Sequence, residues 1–96
     1  MSQACSQTVT VQNPQGLHAR PANLLAREAS RFESRIDVIR GTERVDGKSI
    51  LSILTLGAEQ GAQLSIEAQG PDAQAAIAAL VKLIEGGFEI EVEPAE

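Results

Sequence analysis

Apolar residues along this chain recur now at every second position, now at every third or fourth, and most changes of period fall at Gly, Pro, Asn or Asp. A period of two belongs to a strand with one buried face, and a period near 3.6 to a helix with one buried stripe. A chain patterned in this way has to lay one-sided strands against one-sided helices.

Val9 and Val11 alternate with polar neighbours over Thr8 to Gln12, which predicts a first strand. Asn13-Pro14-Gln15-Gly16 breaks it with turn residues, and Ala22, Leu25, Ala26, Ala29 and Phe32 then mark a helix from Ala19 to Arg31. Ile36 and Val38 restore the alternation, Gly41-Thr42 offers a turn, and Glu43 to Val45 returns as a short strand. After Asp46-Gly47, Ile50, Ile53 and Leu54 share one face of a short helix that Ser49 caps, a cap worth about 1 kcal/mol.

Leu64, Ile66 and Ala68 alternate with Ser65, Glu67 and Gln69 in a fourth strand entered from the Glu59-Gln60-Gly61 turn. The last helix opens at Gly70-Pro71-Asp72, with Pro71 suited to its first position, repeats Ala73, Ala76, Ile77, Leu80, Val81 and Ile84, and stops at Gly86-Gly87. The order β-α-β-β-α-β-α predicts an α+β open-faced sandwich, a four-stranded antiparallel sheet covered on one face by three helices.

At 96 residues the chain has room for one modest core, expected over about 8–87 of a single domain spanning 1–96. Residues 88–96, beginning Phe88-Glu89-Ile90-Glu91, alternate like a strand yet carry a carboxylate at every other place near the start. An edge strand and a loose acidic extension are equally open readings.

With two Phe, no Trp or Tyr, and a net charge of −5, the chain lacks both the stacking aromatics and the overall charge that nucleic acid requires. No apolar run approaches the ~20 residues that span a bilayer, and Met1-Ser2-Gln3-Ala4-Cys5 resembles no signal segment, so membrane insertion is not expected and the cytoplasm is. The single cysteine, Cys5, reads as an incidental thiol on a frayed terminus, and with the single histidine it is too little for a structural metal site.

That histidine, His18, stands between a glycine-containing turn and the first turn of a helix, in Gly16-Leu17-His18-Ala19-Arg20-Pro21-Ala22. A helix start gathers unpaired amides and the positive end of the peptide dipole, so an anion attached to His18 would be held by backbone. Arg20 adds a guanidinium, Pro21 presets the helical φ, and a neutral imidazole is a competent nucleophile towards phosphorus. Composition alone favours reading His18 as a half-exposed residue at a helix start without a chemical task, and spacing by itself does not overturn that reading.

The string from Gly16 to Ala22, together with Lys48-Ser49-Ile50-Leu51, Thr55-Leu56-Gly57, Gln60-Gly61 and Leu80-Val81-Lys82-Leu83, resembles the HPr family of histidine-containing phosphocarriers of the bacterial phosphotransferase system. The similarity runs from about Thr8 to Gly87. It implies that His18 accepts a phosphoryl group at Nδ1 from enzyme I, which phosphoenolpyruvate charges, and passes it to a sugar-specific enzyme IIA. Arg20 would stabilise the phosphate. Ser49 matches a serine that a regulatory kinase modifies in some bacteria, and a phosphate there would set about two negative charges on the docking face.

Docking itself is expected of apolar residues left off the helical core faces, Leu24 and Leu51 with Ile50 and Leu54, ringed by Arg20, Arg27 and Lys48. Only two lysines thin that ring. The implied protein is a monomeric carrier acted on by phosphotransferases, without metal or organic cofactor, and not itself an enzyme. A second reading keeps the fold but makes it a regulatory paralogue, serving nitrogen-related or dihydroxyacetone phosphotransfer or docking on a transcriptional regulator. Gly47-Lys48-Ser49 does not make a nucleotide-binding loop, because Thr42 occupies the place of its first glycine and Gly41 is one residue too far away.

Overall fold

The computed structural model describes residues 3–88. Its elements are β1 (Gln3–Thr10), α1 (Ala19–Ala29), β2 (Arg35–Arg40), β3 (Glu43–Asp46), α2 (Ile50–Leu54), β4 (Gln63–Gly70) and α3 (Ala73–Glu85). The strands form one antiparallel sheet in the order β1-β4-β2-β3, with the helices on one face. This is the open-faced α+β sandwich that the pattern predicts.

Register explains which side chains meet. Val9 lies opposite Leu64, Ile36 opposite Ala68, and Val38 opposite both Ile66 and Val45, so the apolar alternations of four strands converge on the helix-covered face. Leu25 of α1, Ile53 of α2 and Leu80 and Ile84 of α3 close over them, each under 2% exposed. Fully burying such a side chain contributes about 1.5–3 kcal/mol, which makes this layer the main source of stability.

The opposite face is polar. Arg44 of β3 donates to Asp37 of β2 (2.8 Å) and to Glu67 of β4 (2.7 Å), and Arg35 stands 3.6 Å from Asp37. Glu67 first, then Asp37, hold the Arg44 guanidinium above its ordinary pKa. One arginine thereby separates two carboxylates that the register sets directly opposite each other.

Several boundaries differ from expectation. β1 starts at Gln3, because backbone pairing with β4 continues along Ser6, Cys5 and Ala4, where no apolar alternation announces a strand. Cys5 is consequently no frayed thiol: it pairs with Ala68 and packs, half-buried, against the core. α1 ends at Ala29, where the Ser30 hydroxyl donates back to the Ala26 carbonyl at 2.8 Å, and Phe32 reaches the core from the following bend. In α2 only Ile53 is buried, whereas Ile50 is 38% exposed.

α3 begins two residues later than Pro71 suggests, at Ala73, with Asp72 as N-cap and Pro71 before it. The Asp72 carboxylate does not cap its own helix. It accepts from the amides of Glu33 and Ser34, both at 2.9 Å, and from the Ser34 hydroxyl, joining the entry of β2 to the entry of α3. At the other end, Gly87 takes φ +72°, its amide bonds the Ile84 carbonyl and the Phe88 amide bonds that of Leu83, a Schellman closure. Phe88 itself has φ +62°, a strain on the order of 1–2 kcal/mol for a residue with a side chain. The residue is only 5% exposed, and burial on that scale offsets the strain. Phe88 thus belongs to the core, and the acidic extension proper, 89–96, lies outside the described residues.

The Ser34 hydroxyl, followed by the Glu33 and Ser34 amides, lowers the Asp72 pKa from its ordinary 3.8. A carboxyl whose pKa folding lowers stabilises the fold while ionised; that contribution is complete above the unfolded value and fades as pH falls through the folded one. Asp72→Asn should therefore lower Tm at neutral pH, and the gap to the parent should close as pH drops below 3.8, as thermal melts across an acid series will read.

Candidate functional site

The loop between β1 and α1 is built on another loop. The Val11 amide donates to the Ala62 carbonyl and the Gly61 amide to the Val11 carbonyl, both at 2.9 Å, and Gln60 Nε2 reaches the Gln12 carbonyl at 3.0 Å. The Leu17 amide then bonds the Ala58 carbonyl at 2.9 Å. Residues 58–62 thus form a platform along which 11–17 is laid.

Asn13 closes the turn from both directions. Its carbonyl accepts the Gly16 amide at 3.0 Å, and its Nδ2 donates to the Gly16 carbonyl at 2.6 Å. Gly16 has φ +68°, and a Cβ there would run into the Ala58 carbonyl and lie 2.8 Å from the Glu59 Cα. Only glycine permits so close an approach. With the turn fixed, Leu17 drops into the core and the next residue faces outward.

That residue is His18, the N-cap of α1, exposed and with extended backbone (φ −73°, ψ −174°). Its carbonyl accepts the first helical bond, from Ala22, at 2.9 Å, while its imidazole makes no capping bond and remains available. Ahead of it stand the amides of Ala19 and Arg20, which no helical carbonyl precedes, and Pro21 has no amide to satisfy. The positive end of an 11-residue helix, equivalent to roughly half a charge, therefore meets the imidazole. Arg20, also exposed, lines a groove with Asn13, Pro14, Leu24 and Phe88.

The remaining expected residues are distributed unevenly. α1 packs on α2, and Ile50 and Leu51, 38% and 76% exposed, are the large apolar side chains that stand out among the described residues. Leu24 and Leu54 are half-buried and packed on the core, so each offers only part of its surface. Arg27 is exposed in the last turn of α1. Lys48 is not free on a rim: its Nζ donates to the Phe32 carbonyl at 2.7 Å, just past the C-terminal end of α1. Arg20 and Lys48 therefore sit at opposite ends of α1, about 15 Å of helix apart. The cations line the helix rather than encircle the apolar patch. Ser49 caps α2, its hydroxyl accepting from the Ser52 amide at 3.2 Å.

Two residues at this end of the fold escape sequence reasoning. Asn13 is visible as a turn former, but nothing in a single sequence says that its side chain ties Gly16. Arg40 closes β2 and donates to the carbonyls of Leu56 (2.9 Å) and Gly57 (3.0 Å), contacts that only the sheet register creates. A second concavity, on the open face of the sheet, is lined by Arg35, Asp37, Arg44 and Glu67. Its charges are satisfied by one another. Among the described residues no group of His, Cys, Asp and Glu is arranged to hold a metal, and no helix is long and apolar enough to cross a membrane.

Comparison with known proteins agrees with this geometry. The family model for the PTS HPr component phosphorylation site matches residues 5–86. Phosphocarrier protein HPr of Treponema pallidum is 44% identical over 84 residues, covering 88% of this chain and 96% of that one. A multiphosphoryl transfer protein of Vibrio cholerae is 39% identical over 90 residues, covering 91% of this chain and 22% of its own length. A crystal structure of HPr from Thermoanaerobacter tengcongensis superposes with a TM-score of 0.86 at 43% identity, covering 92% of this chain and 99% of that one.

Replacing Gly16 by Ala should expose how much the turn depends on contact with the platform. Left-handed strain alone costs about 1–2 kcal/mol, and the collision with the Ala58 carbonyl adds to it. Denaturant unfolding should show a loss of at least that size, with the Leu17 amide losing its protection from hydrogen exchange.

Proposed function

Because the chain belongs to the HPr family, the phosphocarrier component of the phosphotransferase system, we propose that His18 is the residue that carries the phosphoryl group. Nδ1 attacks the phosphorus presented by enzyme I, itself charged by phosphoenolpyruvate; the new N–P bond forms as the bond to the donor breaks. Transfer to a sugar-specific enzyme IIA repeats the exchange with His18 as the leaving group. The protein is a substrate of both partners, and each of them supplies the catalysis.

The observation that carries this reading is the unspent imidazole at the N-terminus of α1. A phosphoryl group on it meets the amides of Ala19 and Arg20 and the positive helix end, worth about 0.3–1 kcal/mol in an exposed setting. The Arg20 guanidinium adds a charge-assisted bond to the same oxygens. These contacts steady the phosphorylated form without trapping it, as reversible transfer requires.

Partners dock on Ile50 and Leu51 with the accessible parts of Leu24 and Leu54, and Arg20 and Arg27 along α1 steer an acidic surface towards them. Lys48 acts close by through the C-terminal end of α1. A kinase that phosphorylated Ser49 would place negative charge beside Ile50, and the helix start would tolerate it. Residues 1–96 form one such domain, working in the cytoplasm as a monomer.

Intact-mass analysis after incubation with enzyme I and phosphoenolpyruvate should show one acid-labile phosphoryl group on the parent and none on His18→Ala. No addition with several enzymes I would overturn the carrier reading in favour of a regulatory paralogue. Arg20→Ala should slow acceptance by roughly tenfold, the equivalent of about 1.4 kcal/mol in the barrier. Ser49→Asp should raise the KM for enzyme I several-fold while leaving kcat nearly unchanged; equal KM values would remove the regulatory role assigned to Ser49.

A further inference from the structure

Arg40 stands at the end of β2, exposed and outside every motif of the sequence. Its Nη1 nevertheless donates to two backbone carbonyls, Leu56 at 2.9 Å and Gly57 at 3.0 Å. Both follow α2, a helix of five residues. The last carbonyls of α2 itself are taken up by the amides of Thr55, Leu56 and Gly57, whereas among the described residues no backbone amide bonds the Leu56 or Gly57 carbonyl. The Arg40 guanidinium satisfies those two carbonyls and thereby ties down the segment that leaves α2. Among the described residues no other side chain donates to Leu56 or Gly57.

One peptide further on, the Ala58 carbonyl accepts the Leu17 amide at 2.9 Å, and Leu17 precedes His18. The path from Arg40 to the imidazole-bearing residue is therefore short and made of hydrogen bonds and rigid peptide units: side chain to Leu56 and Gly57, through one residue to Ala58, across to Leu17. Gly16 presses against Ala58 at the same place, so a shift of the platform cannot be absorbed without moving the turn.

We propose that Arg40 is a positioning residue for phosphoryl transfer, fixing through the Leu56 and Gly57 carbonyls the platform that sets the placement of His18; this rests on the carrier reading given above. In-line transfer is sensitive to displacements of about 1 Å in the attacking atom. Without Arg40 the platform shifts, and His18 spends less of its time in line with phosphorus. Ile50 and Leu51 stay on α2, which keeps its Ser49 cap and the bonds from the Thr55, Leu56 and Gly57 amides to its own carbonyls, and Arg20 stays on α1, so docking is unchanged. The effect accordingly falls on kcat. A carrier that was merely less folded would behave as a smaller concentration of intact substrate and would raise KM instead.

The test uses the full chain with Arg40→Met and Arg40→Lys. Hydrogen exchange of the Leu17 amide should quicken by about tenfold in Arg40→Met while amides of β4 keep their protection, and kcat for phosphorylation by enzyme I should fall by a similar factor at constant KM. Arg40→Lys, which can still donate to one carbonyl, should recover part of both. Leu17 exchange or kcat within twofold of the parent, or a loss confined to KM, would overturn the proposal. A parent protein that takes no phosphoryl group on His18 would instead sink the carrier reading and with it the kinetic half of this inference, and Leu17 exchange would still decide whether Arg40 holds the loop.

Discussion

The antiparallel pairing of β1 with β4 is the constraint on which the rest depends. Because the strands run in opposite directions, the last residue of β1, Thr10, lies opposite the first of β4, Gln63. The chain leaving β1 and the chain entering β4 are thereby brought to the same end of the sheet. Their backbones bond to each other through Val11, Gly61 and Ala62, and the turn before α1 acquires its support from a segment far along the sequence. The exposed N-terminus of α1, with His18 upon it, follows from that adjacency.

A second regularity is where the charged side chains are spent. Asp72 gathers the amides of Glu33 and Ser34, Lys48 reaches the Phe32 carbonyl, and Arg40 the carbonyls of Leu56 and Gly57. Each satisfies backbone groups at the end of one element with a charge borrowed from another. Elements of four to thirteen residues have a high proportion of ends, and an unpaired backbone group that is shielded from water is costly. His18 departs from this economy, since its cap position carries no side-chain bond. Among the described residues no side chain caps the positive end of α1 and no acidic residue lies in its first turn, which is what an anion site requires.

Much of this arrangement is legible from the sequence, for identifiable reasons. Val9, Ile36, Val38, Leu64 and Ile66 declare their strands because one face is buried and the other is not. Leu25, Leu80 and Ile84 likewise declare their helices. Ala4 to Gln7 give no such signal: their strand is held by backbone pairing, to which composition is blind. Ser49 can be read as a cap because its partner Ser52 is local. Asp72 cannot be read in full, because its partners lie 38 and 39 residues away. The motif around His18 shows which residue to examine, whereas the tie of Leu17 to Ala58 and the grip of Arg40 on Leu56 are products of topology. The half-burial of Leu24 and Leu54 is also a matter of packing, invisible to spacing alone.

The same β1–β4 pairing has a consequence during synthesis. As the ribosome releases the chain from its N-terminus, β1, the turn at Asn13 and α1 all emerge while their supporting strand does not yet exist. Val11 has no Ala62 to receive its amide, and Leu17 no Ala58, until more than half of the chain has been made. Contacts so distant along the sequence carry a loop-closure cost and form late. A nascent or truncated chain ending before β4 thus displays the histidine motif in full but lacks the scaffold that orients it.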